Sequence, residues 1–188
     1  PLNDALIAIG IGIMSGMLMV LIQEQLKAPI SFFLQKFTTD VESGAYSKRY
    51  TLKCLYDLKK NKENLPILFI LLKLKGLEDV IDVLPSFSKR RIFGKAVTIL
   101  KKNLKGHDII GRWDDLTLEV ILPKTPKKVV GIMANRLLQS LAEPVTYGIE
   151  DEDSIELTPV SGASSCEKGQ EIDKLSIEAE KALREAED

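Results

Sequence analysis

The apolar positions of this chain change rhythm several times. From Ala5 to Ile22, "ALIAIGIGIMSGMLMVLI", there is no rhythm at all: nothing is charged and nothing is more polar than Ser15. From Gln23 to Thr39, Leu26, Ile30, Phe33, Leu34 and Phe37 recur near helical spacing, with Pro29 set to kink or restart the helix. Beyond Asp40 the pattern becomes that of a packed domain. "SKRYTLKCLYDLKK" puts Tyr50, Cys54, Leu55 and Leu58 on one helical face. "LPILFILLKLKG" is a continuous apolar run, the mark of a strand buried on both faces. "RRIFGKAVTILKKNLKG" is helical, with Ile92, Ala96, Ile99, Leu100 and Leu104 inward and Gly106 as its stop.

"GRWDDLTLEVILP" reads as a hairpin. Asp114-Asp115 is turn chemistry, and the following strand alternates Leu116, Leu118, Val120 and Leu122 with Thr117 and Glu119. "TPKKVVGIMANRLLQSLAEP" predicts a helix with Thr125 as N-cap, Pro126 at the first helical position and Pro144 as its end. "SIELTPVSGAS" is a strand that Pro159 pushes toward an edge. "EDEDS" and "SSCEKGQE" are expected to be surface loops, and "EIDKLSIEAEKALREAED" is a last amphipathic helix with Ile172, Leu175, Ala179, Ala182, Leu183 and Ala186 inward. The order helix, strand, helix, hairpin, helix, strand, helix predicts an α+β sheet flanked by helices, ferredoxin-like in style.

The apolar run near the start changes the picture. As a helix it would be roughly 27 Å long, close to the hydrocarbon thickness of a bilayer. A buried core helix is one alternative. A cleaved signal peptide is another, but "PLND" carries an acid and no basic side chain before the run. The expectation is one N-terminal transmembrane helix over residues 1–22, an amphipathic connector helix over 23–39 and a folded domain over 40–188. Gly12 and Gly16 form a small-xxx-small pair for a close helix contact in the membrane, with a membrane protein partner or in a homodimer. Lys27, Lys36, Lys48 and Arg49 follow the run, so the domain is expected on the cytoplasmic side of a single-pass protein.

Composition narrows the chemistry. With 26 Lys+Arg against 27 Asp+Glu, a net charge of −1 offers no general attraction to nucleic acid. A single histidine, His107, excludes any multi-histidine metal site, and Cys54 and Cys166 match no metal spacing.

Four stretches together resemble the GGDEF domain of bacterial diguanylate cyclases. "DVESGAYSKR" is similar to its opening motif through Asp40, Gly44 and Arg49, with Ser43 in place of a threonine. "DIIGRWDDLTLEVILP" follows the signature hairpin without a gap, with Asp108, Arg112, Trp113, Leu122 and Pro123 in place. "LTPVSGAS" aligns Thr158 and Gly162, and "EAEKALREAE" aligns Ala179, Ala182, Leu183 and Ala186. The resemblance implies a GGDEF-type sheet from about Asp40 to the C-terminus.

It also implies that the catalytic parts have been replaced. The five signature positions, Gly-Gly-Asp-Glu-Phe in the family, are Asp114, Asp115, Leu116, Thr117 and Leu118 here. Asp114 and Asp115 stand where the family has glycines that let a nucleotide approach. Leu116 and Thr117 stand where it has an acidic pair. The family's strand-end magnesium ligand corresponds to Lys73, a reversal of charge where a hard cation needs oxygen. Lys73 and Leu116 are thus lost metal-ligand positions. Lys105 and Asp108 resemble a remnant of the family's product-binding motif, but lysine cannot make arginine's bidentate contact. The reading that follows is a degenerate, non-enzymatic GGDEF-like domain, anchored to a bilayer as a docking module or accessory subunit, with no cofactor and with nucleotide binding not expected. The alternative is a non-catalytic sensor of GTP or cyclic di-GMP.

Overall fold

A computed structural model describes residues 16–17, 37–147 and 154–188. The chain divides into two compact units, Pro1–Phe37 and Thr38–Asp188. In the first, Gly16 and Met17 are helical; Gly12 and the rest of the apolar segment lie outside the described residues, as does most of the 23–39 connector. No helix among the described residues is long and apolar enough to cross a membrane.

The second unit follows the order expected. Its strands are β1 (Tyr46–Ser47), β2 (Ile67–Lys75), β3 (Ile109–Arg112), β4 (Thr117–Leu122), β5 (Val145–Thr146), β6 (Ser154–Ile155) and β7 (Thr158–Cys166). Its helices are α1 (Lys48–Lys60), α2 (Ser86–Asn103), α3 (Val130–Leu141) and α4 (Asp173–Glu187). Among the described residues the main sheet runs β1-β3-β4-β2-β7, and β5 pairs with β6 apart from it. β1 lies parallel to β3, and the other neighbours are antiparallel. Without β1, this is the ferredoxin-like order with β2 and β4 at the centre.

Two apolar layers sandwich that sheet. Leu68, Ile70, Leu72 and Leu74 of β2 join Ile92, Phe93 and Leu100 of α2 and Leu137 of α3 on one face. Ile67, Phe69 and Leu71 join Leu55 of α1 and Leu175, Ala179 and Leu183 of α4 on the other. Burial on both faces is why β2 has no polar alternation over its first six residues. The same holds for β4, every residue of which is buried.

Three local expectations need correction. The helix expected from Thr125 begins later: Lys127–Val129 form a 3-10 turn, α3 starts at Val130, and the Thr125 hydroxyl donates to the Pro123 carbonyl at 3.1 Å. "SSCEKGQE" is not all loop, because β7 continues through Cys166, and Ser164 is buried and donates to the Leu175 carbonyl. The single strand expected over "SIELTPVSGAS" is split: Ser154–Ile155 form β6, and β7 begins only at Thr158. Pro159 is accommodated because β7 is an edge strand. The opening motif builds a turn: Asp40 accepts from the Ser43 amide and hydroxyl, both at 2.7 Å, while Gly44 takes a φ of +66° that favours glycine.

Candidate functional site

The hairpin β3-β4 projects its tip beside the C-terminal end of β2, where Lys73 pairs with Thr117. The tip is a tight local structure. The Trp113 and Asp114 amides both donate to the Thr117 carbonyl, at 2.9 and 3.3 Å, and the Leu116 amide donates to Asp114 Oδ1 at 2.9 Å. Asp114 therefore uses its carboxylate to close its own turn. Arg112 Nη2 donates to the Asp115 carbonyl at 2.6 Å, its guanidinium lies 3.3 Å from the Phe93 ring centre, and Glu42 is 3.8 Å away. Burial lowers the pKa of Arg112, against the pull of Asp40 and Glu42.

Beside the tip lies an open cleft of about 470 Å³, walled by Lys73, Trp113, Asp114, Asp115, Leu116 and Thr117 from the sheet and by Glu180, Arg184 and Glu187 from α4. Lys73 is held by the Glu187 carboxylate, a bond that raises the lysine's pKa. Lys75 Nζ donates to the Glu187 carbonyl at 3.3 Å. The Trp113 indole N–H donates to Glu180 Oε1 at 3.1 Å, and Lys48 Nζ sits 3.5 Å over the same ring. The cleft thus carries a cation on its floor, already matched by a carboxylate of the last helix.

At the two positions equated with metal ligands there is an ammonium and an aliphatic side chain, and Thr117 offers one neutral hydroxyl. Among the described residues no three His, Cys, Asp or Glu side chains converge as a metal-holding set.

Lys105 and Asp108 lie away from the tip, at the start of β3. Asp108 Oδ2 accepts from the Lys105 amide at 2.7 Å, and the Asp108 amide donates back to the Lys105 carbonyl at 3.0 Å. The pair closes its own turn, with His107 3.7 Å from the same carboxylate. Of the expected site residues, Lys73 and Asp114 through Thr117 come together; Lys105 and Asp108 do not join them.

One residue was missed. Glu119 is fully buried on the α1 side of β4, where its Oε1 bonds the Thr51 hydroxyl and its Oε2 has no partner. Burial pushes its pKa up from 4.5 to about 7, opposed by Thr51 and by Lys48. Gly111 is opposite, and a Cβ there would fall 2.4 Å from Glu119 Oε1 and 2.5 Å from Thr51 Cγ2. Gly111→Ala is expected to cost about 2 kcal/mol in a denaturant titration, and Glu119→Ser in the same chain to recover part of it. The available signal was the position of β4, a central strand with helices over both faces, where any polar side chain is enclosed.

Comparison with known proteins matches this architecture. A family model described as "Diguanylate cyclase, GGDEF domain" matches residues 38–188. The coiled coil and GGDEF domain of DgcB from Caulobacter crescentus, solved in complex with c-di-GMP, is similar with a TM-score of 0.78 at 14% identity, over 89% of this chain and 90% of that one. The GGDEF domain of FimX from Pseudomonas aeruginosa is similar with a TM-score of 0.71 at 12% identity, over 79% and 93%. An uncharacterized Bacillus subtilis protein, YtrP, is 26% identical over 151 residues; the match takes in 79% of this chain and only 24% of YtrP.

Proposed function

The chain belongs to the GGDEF domain family of diguanylate cyclases, and from that premise we propose that it is a non-catalytic member acting as a docking module or accessory subunit of a membrane-associated complex. The observation that carries the reading is Lys73 at a lost metal-ligand position, held by Glu187. Phosphoryl-type transfer by this family, as the resemblance implies, needs carboxylates that hold magnesium and offset developing charge. An ammonium there repels the ion, and Leu116 and Thr117 supply no compensating charge. Asp114 and Asp115, in the glycine positions, put side chains and negative charge where a nucleotide phosphate would have to approach. The apolar segment Ala5–Ile22 supports anchoring in a bilayer, with the domain on the cytoplasmic side.

The test uses the full chain in mild detergent. Incubation with GTP and Mg²⁺ or Mn²⁺ is expected to yield no cyclic dinucleotide by chromatography. Calorimetric titration with GTP or cyclic di-GMP is expected to show no saturable heat. Saturable micromolar binding without turnover would replace the docking role with the sensor, and product formation would overturn both. Gentle purification from the native membrane is expected to retain a stoichiometric protein partner.

A further inference from the structure

Glu119 takes no part in the cleft's walls, yet it is a buried ionisable group within electrostatic reach of Lys48, the cation over the wall residue Trp113. Its environment shows which form it takes. Thr51 Oγ1 lies 2.9 Å from the Lys48 carbonyl, 3.3 Å from the Ser47 carbonyl and within close bonding distance of Glu119 Oε1. A hydroxyl has one proton to donate. If Thr51 gives it to the carbonyl of its own helix, the remaining oxygen–oxygen contact needs a proton from the carboxyl. Glu119 Oε2 lies buried with no partner, a place where ionic charge would be neither solvated nor bonded.

We infer that Glu119 is held as a neutral carboxylic acid in the folded chain and acts as a proton-sensitive switch on the cleft wall, through Lys48 and Trp113. Loss of the proton leaves a carboxylate facing Thr51, Lys48 and Cys54 of α1, Gly111 of β3 and Leu71 of β2. Lys48 is the one cation among these. The Thr51 hydroxyl turns to the new charge and gives up the Lys48 carbonyl. The Lys48 ammonium is drawn from the indole face toward the same charge, because an ion pair in a partly desolvated site outweighs a cation–π contact. Trp113 also bonds Glu180 of α4, so the change reaches the side of the cleft that α4 supplies. The raised pKa of Glu119 puts the transition close to neutral pH. The inference does not depend on whether the cleft binds nucleotide.

Trp113 is the chain's single tryptophan, so its emission reports the event directly. In the full chain in detergent, titrated from pH 5 to pH 9, one emission transition is expected near neutrality. Glu119→Gln should abolish it, since the amide still donates to Thr51 but cannot ionise. Lys48→Met should also abolish it, by removing the quenching cation while leaving Glu119 free to titrate. His107→Asn should keep it, because His107 lies in the turn at the other end of β3. A flat wild-type profile, or a transition that survives in Glu119→Gln, overturns the inference. If Glu119→Gln fails to fold, a transition persisting in Lys48→Met does so.

Discussion

Gly162→Ala is expected to destabilise the domain by more than about 3 kcal/mol, and Gly162→Val to prevent folding. A Cβ at position 162 would stand 2.2 Å from the Leu183 amide nitrogen, 2.3 Å from the Ala179 carbonyl oxygen and 2.5 Å from Leu183 Cα. All three atoms are backbone of α4, so no rotamer change relieves the overlap. The helix would have to lift away from the sheet, and its seat there is Leu175, Ala179 and Leu183 in the second apolar layer. The strand cannot retreat either, because Gly162 is paired with Leu71 of β2. Gly94→Ala makes the same chemical change in the interior of α2, where nothing lies within 4 Å of the added carbon. It is expected to stabilise by up to about 1 kcal/mol. Thermal unfolding of both variants checks the opposite signs. The lifted helix should also disturb the cleft, since α4 supplies Glu180 and Glu187.

That contrast shows which parts of the molecule could be read from residues alone. Gly162 was visible as a glycine in a family motif, but the helix backbone against it was not. The long elements were legible because their apolar spacing reflects one or two covered faces, as in β2 and α2. The strands β1, β5 and β6 have two residues each, too few for any period to form. The last two residues of β7, Ser165 and Cys166, escaped because they sit in a polar run that reads as a loop. The start of α3 was misplaced because Thr125 and Pro126 mimic a cap and first turn, while Pro126 instead precedes a 3-10 turn. At the cleft, Lys73 and the hairpin tip were found through the resemblance. Glu187, the partner of Lys73, lies 114 positions along the chain, and only the fold brings it there. Glu119 was assigned to the polar side of an alternating strand, but in β4 neither side meets water.

Glu119→Gln is expected to remove a pH dependence of stability that the wild-type chain shows between pH 4.5 and about pH 7. The acid's pKa is about 7 in the fold against an ordinary value of 4.5. Below pH 4.5 both folded and unfolded chains hold the proton, and the two proteins should be about equally stable. From there to about pH 7 the unfolded chain ionises while the fold keeps its proton. Wild-type stability therefore declines as pH rises, by about 3 kcal/mol in all, and levels off above pH 7, where both states are ionised. Glutamine keeps the bond to Thr51 and has no proton to lose, so the variant should pull ahead across that window and stay ahead at pH 8. A buried carboxyl hydrogen-bonded mainly as an ion would give the reverse, a wild type that gains on the variant as pH rises. Denaturant midpoints for the two proteins at pH 5 and pH 8 distinguish the cases. Parallel behaviour at both values would mean that Glu119 ionises in the fold as it does in water, which its unpartnered, enclosed oxygen makes physically costly.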